Sequence, residues 1–268
     1  MSSPTTPAPT PAGIDVASRR VPPLGGFNPT VLRIELTRML RNRRTMFFAL
    51  VFPAALFFAI GSGTAWRERA GYGNVAAYVM VSMALYGGAL IAASAGASVA
   101  TERALGWSRQ LRLTPLHPTV YIAMKAVVAL ALGAVAITVV NLVALLQGRA
   151  EMPTGRWVAC ALLTLACTTV FAALGVFVGY LVPGENAMQV LGPGLALLSF
   201  LGNVFIPITE GTALWHVAAW TPMFGVAEVS RAPLTGDLPW YAVLNAVAWL
   251  AVFVGGAAWR MSRDTARV

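Results

Sequence analysis

Lysine is almost missing from this sequence, and charge of any kind is scarce. Lys125 is the only lysine among 19 basic residues, and charged residues make up 11% of the 268. A soluble domain carries roughly 25%. With 57% hydrophobic residues, the chain is too short to hide its apolar sequence in one water-surrounded core, so its bulk must face lipid. Cysteine is equally rare. Cys160 and Cys167 stand seven apart in one apolar run, on one helix face. No zinc-like spacing exists, so both are expected as small core residues and no metal site is expected. No GxxxxGK[ST] occurs, which leaves the chain without a phosphate cradle. HExxH and GxSxG are missing too, and His117 and His216 are the only histidines. No catalytic cluster can be built from these, so an enzyme is the weakest reading.

What is there falls into blocks. Residues 1–27, rich in Pro, Ser, Thr and Ala with no apolar run, are expected as a disordered tail rather than a signal peptide. Residues 28–44, NPTVLRIELTRMLRNRR, have a capping Asn28 and a first-turn Pro29. Leu32, Leu36, Met39 and Leu40 recur at helical spacing, with Arg33, Arg41 and Arg44 set largely apart. That pattern predicts a basic amphipathic helix in the membrane surface; a plain extension of the next span is the alternative. Six segments long enough to span follow, near 45–64, 74–99, 119–147, 157–182, 187–206 and 239–259. The fifth contains Gly192-Pro193-Gly194, which is expected to kink or break it. Residues 260–268 form a short tail.

Six spans put both termini on one side. Fourteen basic residues fall on that side and five on the other. The positive-inside rule therefore predicts cytoplasmic termini and a cytoplasmic 100–118 connection. It also separates His117 from His216. Net charge is +9, but the charges flank membrane segments, so topology explains them and no nucleic-acid partner is expected. The spans hold almost no ionisable residue apart from Lys125, against the usual signature of a proton-coupled carrier or charge-lined channel. Ser94, Ser98, Asn141, Thr164, Thr168, Thr169, Asn203 and Asn245 are polar residues at depth. Helix-to-helix hydrogen bonding is the plainer role for each, worth about 1 kcal/mol; a substrate path is the sharper one.

The connection TERALGWSRQLRLTPLHP, residues 101–118, concentrates charge in an apolar chain. If 101–113 is helical, Leu105, Trp107, Leu111 and Leu113 supply apolar contacts, and Arg103, Arg109 and Arg112 supply charge. Thr114-Pro115 stops the helix. A short docking helix and a solvated basic loop both fit these residues.

The stretch resembles the cytoplasmic loop of type-2 ABC exporter permeases. Glu102-Arg103 match the loop's opening, Gly106 its glycine, and Leu111, Thr114, Pro115 and Leu116 its end. Ala104, Trp107 and Arg109 depart from it, standing where an acid, a Thr and a Glu are common. WTPMFGVAEVSR, residues 220–231, is similar to the family's Pro-led segment before the last span, through Trp220, Pro222, Glu228 and Arg231. NVFIP at 203–207 resembles the end of its fifth span. Trp215, Trp220, Trp240 and Tyr241 suit an interfacial aromatic belt.

The resemblance implies an all-α membrane protein. It would have six transmembrane helices over 45–259, an amphipathic surface helix, a cytoplasmic coupling helix at 101–113 and re-entrant outer helices before the last span. It implies an exporter permease that pairs with a second permease copy, as a homodimer or heterodimer. A separate ABC ATPase would carry ATP and Mg, with no cofactor in this chain. The drug and antibiotic branch lies nearest to the loop pattern, so an amphipathic small molecule is the first expected cargo and a lipid-linked glycan or glycolipid the second. The rivals are a stand-alone secondary transporter or channel, and a membrane scaffold without transport.

Overall fold

The computed structural model describes residues 29–60, 64–106, 118–182 and 186–264. The chain is an all-α membrane protein. Helix α1 covers Pro29–Leu40, with proline at its first position, where a missing N–H costs nothing. The helix expected over 28–44 is divided. The Asn42 side chain accepts a hydrogen bond from the Thr45 N–H at 3.2 Å and so caps a new helix, α2, Arg43–Met46. A π-helical turn, Phe47–Val51, carries this run into α3, Phe52–Ile60. Pro53 explains the wide turn, because it has no N–H for the Ala49 carbonyl four residues back.

A short hairpin, β1 (Arg69–Ala70) against β2 (Gly73–Asn74), leads into α4, Val75–Ala104. Asn74 caps α4 by accepting from the Ala77 N–H at 2.9 Å, and its amide donates to the Arg149 carbonyl at 2.7 Å. The remaining helices are α5 (Pro118–Gln147), α6 (Thr154–Leu181), α7 (Asn186–Leu201), α8 (Ala213–Ala218), α9 (Pro222–Thr235) and α10 (Trp240–Asp264). Among the described residues, four helices are long and apolar enough to cross a membrane: 75–104, 120–147, 154–181 and 240–263. The segments expected as first and fifth spans form shorter runs, 43–60 and 186–201. At about 1.5 Å per residue these measure roughly 27 and 24 Å, a little under the ~30 Å of bilayer hydrocarbon.

Helix α4 is the axis of the bundle. Most of its side chains are buried, and its widest contact is with α6. Small residues make that contact close. A Cβ placed on Gly96 would sit 2.3 Å from the Ala172 carbonyl oxygen, and one on Gly175 would sit 2.0 Å from that of Ala93. In lipid, where apolar side chains gain little by leaving their surroundings, close backbone approach is a principal source of helix association.

Of the kink or break expected at Gly192-Pro193-Gly194, the break does not occur. α7 runs through Pro193 as one helix. The proline removes one hydrogen bond, but no neighbour outside the helix crowds either glycine within 4 Å, so the turn can absorb the ring locally.

Candidate functional site

The molecule has two polar ends separated by apolar packing, and its membrane-depth ionic chemistry lies at those ends. At the α1 end, three helices meet in a cluster of charges. α1 supplies Glu35 and Arg38, α4 supplies Ser98 and Glu102, and α5 supplies Tyr121 and Lys125. The Lys125 ammonium donates to both Glu35 and Glu102, and to Ser98 Oγ at 2.9 Å. Arg38 bonds Glu102 at 2.7 Å and Glu35 at 3.3 Å. The Tyr121 hydroxyl donates to the second oxygen of Glu102. Glu102 and Lys125 are each only 4% exposed. Two carboxylates balance two cations, which is the condition for burying such groups at all. The arrangement clamps α1 onto the ends of α4 and α5.

The same end of α4 carries the start of the 101–118 connection. Arg103 reaches across to the last turn of α6 and donates to the carbonyls of Gly179 and Tyr180 at 3.3 Å each. These are C-terminal carbonyls, where a cation is favoured. Its guanidinium carbon lies 5.0 Å from the centroid of the Tyr180 ring. Gly106 ends the helix at φ +71° and donates to the Arg103 carbonyl at 3.0 Å, in the left-handed geometry that glycine adopts without strain. Leu105 is 76% exposed. Glu102, expected on the docking surface, turns its carboxylate inward to Lys125. Trp107, Arg109, Leu111, Arg112, Thr114 and Pro115, expected in the same docking helix, lie outside the described residues.

At the opposite end, α9 folds back into the bundle. Thr221 caps it and Pro222 sits at its start. Glu228 and Arg231, matched only by resemblance, form an ion pair at 2.8 Å. Arg231 is 1% exposed. It donates to Ser82 of α4 at 3.3 Å and to the Asn203 carbonyl beyond α7 at 2.7 Å, and it lies 4.3 Å from the centroid of the Tyr78 ring. Asn203 adopts φ +60°, a conformation its short amide tolerates; that amide donates to Glu228 and accepts from the Ile208 N–H. Arg231 thus ties α9 to α4 and α7. Replacing it with methionine is expected to lower stability by about 2 kcal/mol, the scale of a charged hydrogen-bond set, measured by thermal melting in detergent. The cost stays moderate because Glu228 keeps solvent access and its Asn203 partner. Trp220, grouped with these residues by sequence, stands apart: it is 82% exposed, and its carbonyl accepts from the Trp249 ring at 3.0 Å.

Between the two ends a groove of about 940 Å³ opens along α2, α4 and α7. Asn42, Arg44, Thr101 and Gln189 line its α1 end, and Phe48, Phe52, Tyr86, Leu90 and Met188 line it further in. Pro193 and Gly192 form part of its α7 wall, so the Gly-Pro-Gly stretch contributes a smooth surface without breaking the helix. Several buried polar residues bond within their own helix, as Ser82 does to Tyr78, Thr168 to Leu165 and Ser199 to Leu195. Asn141 and Asn245 instead bridge elements, accepting from the Trp157 ring and donating to the Ala219 carbonyl.

Sequence reasoning missed Glu35, Arg38 and Tyr121 as partners. One signal was available: the only lysine of the chain lies inside a span, and a buried ammonium demands carboxylates. Glu102, 23 residues earlier on the adjoining helix, is one of the few candidates.

The family profile described as ABC-2 type transporter matches residues 29–235, from the first residue of α1 to the last of α9. This chain belongs to the ABC-2 type transporter family. A protein of Bacillus subtilis (strain 168) bearing the name "Putative transport permease YvfS" is 22% identical over 233 residues, covering 82% of this chain and 91% of that one. The matched range contains both charge clusters and the groove. An ABC-2 permease is the membrane subunit of an ABC transporter and works with an ABC ATPase, so the α1 cluster and the connection beside it belong to a transporter subunit.

Proposed function

We propose that this ABC-2 permease is one half of an exporter that moves an amphipathic small molecule out across the cytoplasmic membrane. Six crossings, with the 43–60 and 186–201 runs as first and fifth, place both termini and the α1 end in the cytoplasm. A second permease copy faces the groove, and the pathway runs between the two. A separate ATPase binds ATP and Mg and docks against the 101–118 connection. Its closure drives that connection, and the α1 cluster passes the movement to α1, α4 and α5 together.

The observation that carries this reading is the groove. It is large, and its character changes from polar at one end to aromatic and aliphatic further in. Pockets for drug-sized molecules commonly have volumes of roughly 300–1,000 Å³. An uncharged, apolar inner wall suits an amphipathic cargo better than an inorganic ion.

The test uses Leu105, which is exposed at the end of α4. Leu105→Asp is expected to leave insertion and thermal stability unchanged, to abolish co-purification of the ATPase, and to lower transport into inverted vesicles by at least about tenfold, the effect of losing one buried interface anchor of 1.4 kcal/mol or more. Unchanged ATPase recovery and transport would make the connection a tether only. Transport by the chain in vesicles without any ATPase would favour a stand-alone carrier.

A further inference from the structure

The charges near the groove are not evenly distributed. At the α1 end, Glu35 and Glu102 are both committed to Lys125 and Arg38 inside the clamp. Among the described residues, the groove beside that clamp is lined by a single charged side chain, Arg44, and by no carboxylate. Arg44 is exposed, and no ion pair involves it among the described residues. Polar side chains capable of donating hydrogen bonds, Thr101 and Gln189, line the same groove. Beyond them the wall is Phe48, Phe52, Tyr86 and Met188, with no charge. A guanidinium at the mouth of an apolar trough recognises a particular shape of molecule: a planar or tetrahedral anion on a hydrocarbon body.

We propose that the groove takes an amphiphile with an anionic head group, with the head at Arg44 and the apolar body against Phe48, Phe52 and Tyr86. The proposal rests on the groove being the transport pathway and narrows the cargo from amphipathic to anionic amphipathic. A cationic amphiphile would meet Arg44 as a like charge at the entrance, with no acid among the described lining residues to offset it. A molecule without a hydrophobic body would leave the aromatic wall unfilled. A free inorganic anion therefore binds only weakly.

The experiment uses the complex purified from its native membranes and placed in nanodiscs of zwitterionic lipid. The probes are fluorescent oleoyl lysophosphatidic acid and the matching oleoyl lysophosphatidylcholine, which share a chain and differ in net charge. The anionic probe is expected to bind at least about tenfold more tightly, the effect of one charge-assisted contact. Arg44→Gln is expected to remove that preference and leave the zwitterionic probe as before. Equal affinity for the two probes, or a preference that survives Arg44→Gln, would overturn the proposal. A second variant, Ala196→Trp, fills the groove from its α7 wall, with a monodisperse elution profile confirming the fold. Loss of both probes in this variant places them in the groove. If both still bind with the anionic preference intact, Arg44 is holding lipid at the membrane surface and the proposal fails. If the preference is absent but Ala196→Trp still removes binding, the pathway reading stands and only the head-group assignment falls.

Discussion

Gly175→Val is expected to leave almost no folded protein. The Cβ alone would lie 2.0 Å from the Ala93 carbonyl oxygen and within 2.8 Å of two further backbone atoms of Ala93. Real carbon atoms do not approach so closely, and the neighbour is backbone, so no rotamer change relieves the clash. α4 and α6 must move apart along the widest contact in the molecule, losing the neighbouring approach at Gly96. Overpacking a core costs about 1–3 kcal/mol where side chains can adjust, and occasionally more; here the effect belongs at or beyond the top of that range, a large part of the ~5–15 kcal/mol that holds a folded domain together. The measurement is the fraction of membrane-inserted protein that elutes as a single species, with its melting temperature. Gly155→Val is the control. It lies in the same helix with nothing within 4 Å of its added carbon among the described residues and is expected to change stability only by the small helix-propensity difference, which favours valine over glycine. A Gly175→Val protein that behaved like the control would mean that α4 and α6 do not meet as described.

This contact marks the border of what the sequence made legible. Apolar segments at membrane length, the helical spacing of α1 and its first-turn proline follow from periodicity and end signals, which are local. Which helices touch is not local. Gly96 and Gly175 are two among 25 glycines, and nothing in their neighbours says that they face each other. The Gly-Pro-Gly stretch shows the opposite failure. Its local rule predicts a kink or a break, and the helix runs through Pro193 without a break. The division at Asn42 was local after all: an Asn three residues before Thr45 is a cap signal, hidden inside a run that otherwise kept its helical spacing. Glu102 carries the sharpest lesson. The resemblance placed it in a docking motif, and its carboxylate is turned away from the surface, held by a lysine on the next helix and an arginine on α1. A one-dimensional motif names a position and does not say which way the side chain faces.

Lys125→Met tests what that inward turn is for. Removing the ammonium leaves Glu35 and Glu102 sharing one cation, Arg38, whose side chain is 45% exposed. Breaking a buried ion pair from one side typically costs about 3–5 kcal/mol, and here one of two carboxylate charges is left without its own counterion. The single variant is therefore expected to melt far below the wild-type protein or fail to accumulate. Adding Glu102→Gln restores the count, one carboxylate against one cation, and the Gln amide still offers bonds to Ser98 and Tyr121. The double variant is expected to recover most of the lost stability. The clamp serves transmission as well as folding if a second readout then moves: hydrogen exchange across α1 faster than in the wild type, with transport remaining low despite normal ATPase recovery. Restoration of exchange protection and transport together with stability would reduce the cluster to a packing device. A Lys125→Met protein as stable as the wild type would mean that the three helices are not held by these charges at all. The expected order, single variant worst, double variant folded but loosely joined, follows from one physical fact. Charges this deeply buried are stable only as a set, and the set is shared by α1 and the two long apolar helices that flank the 101–118 connection.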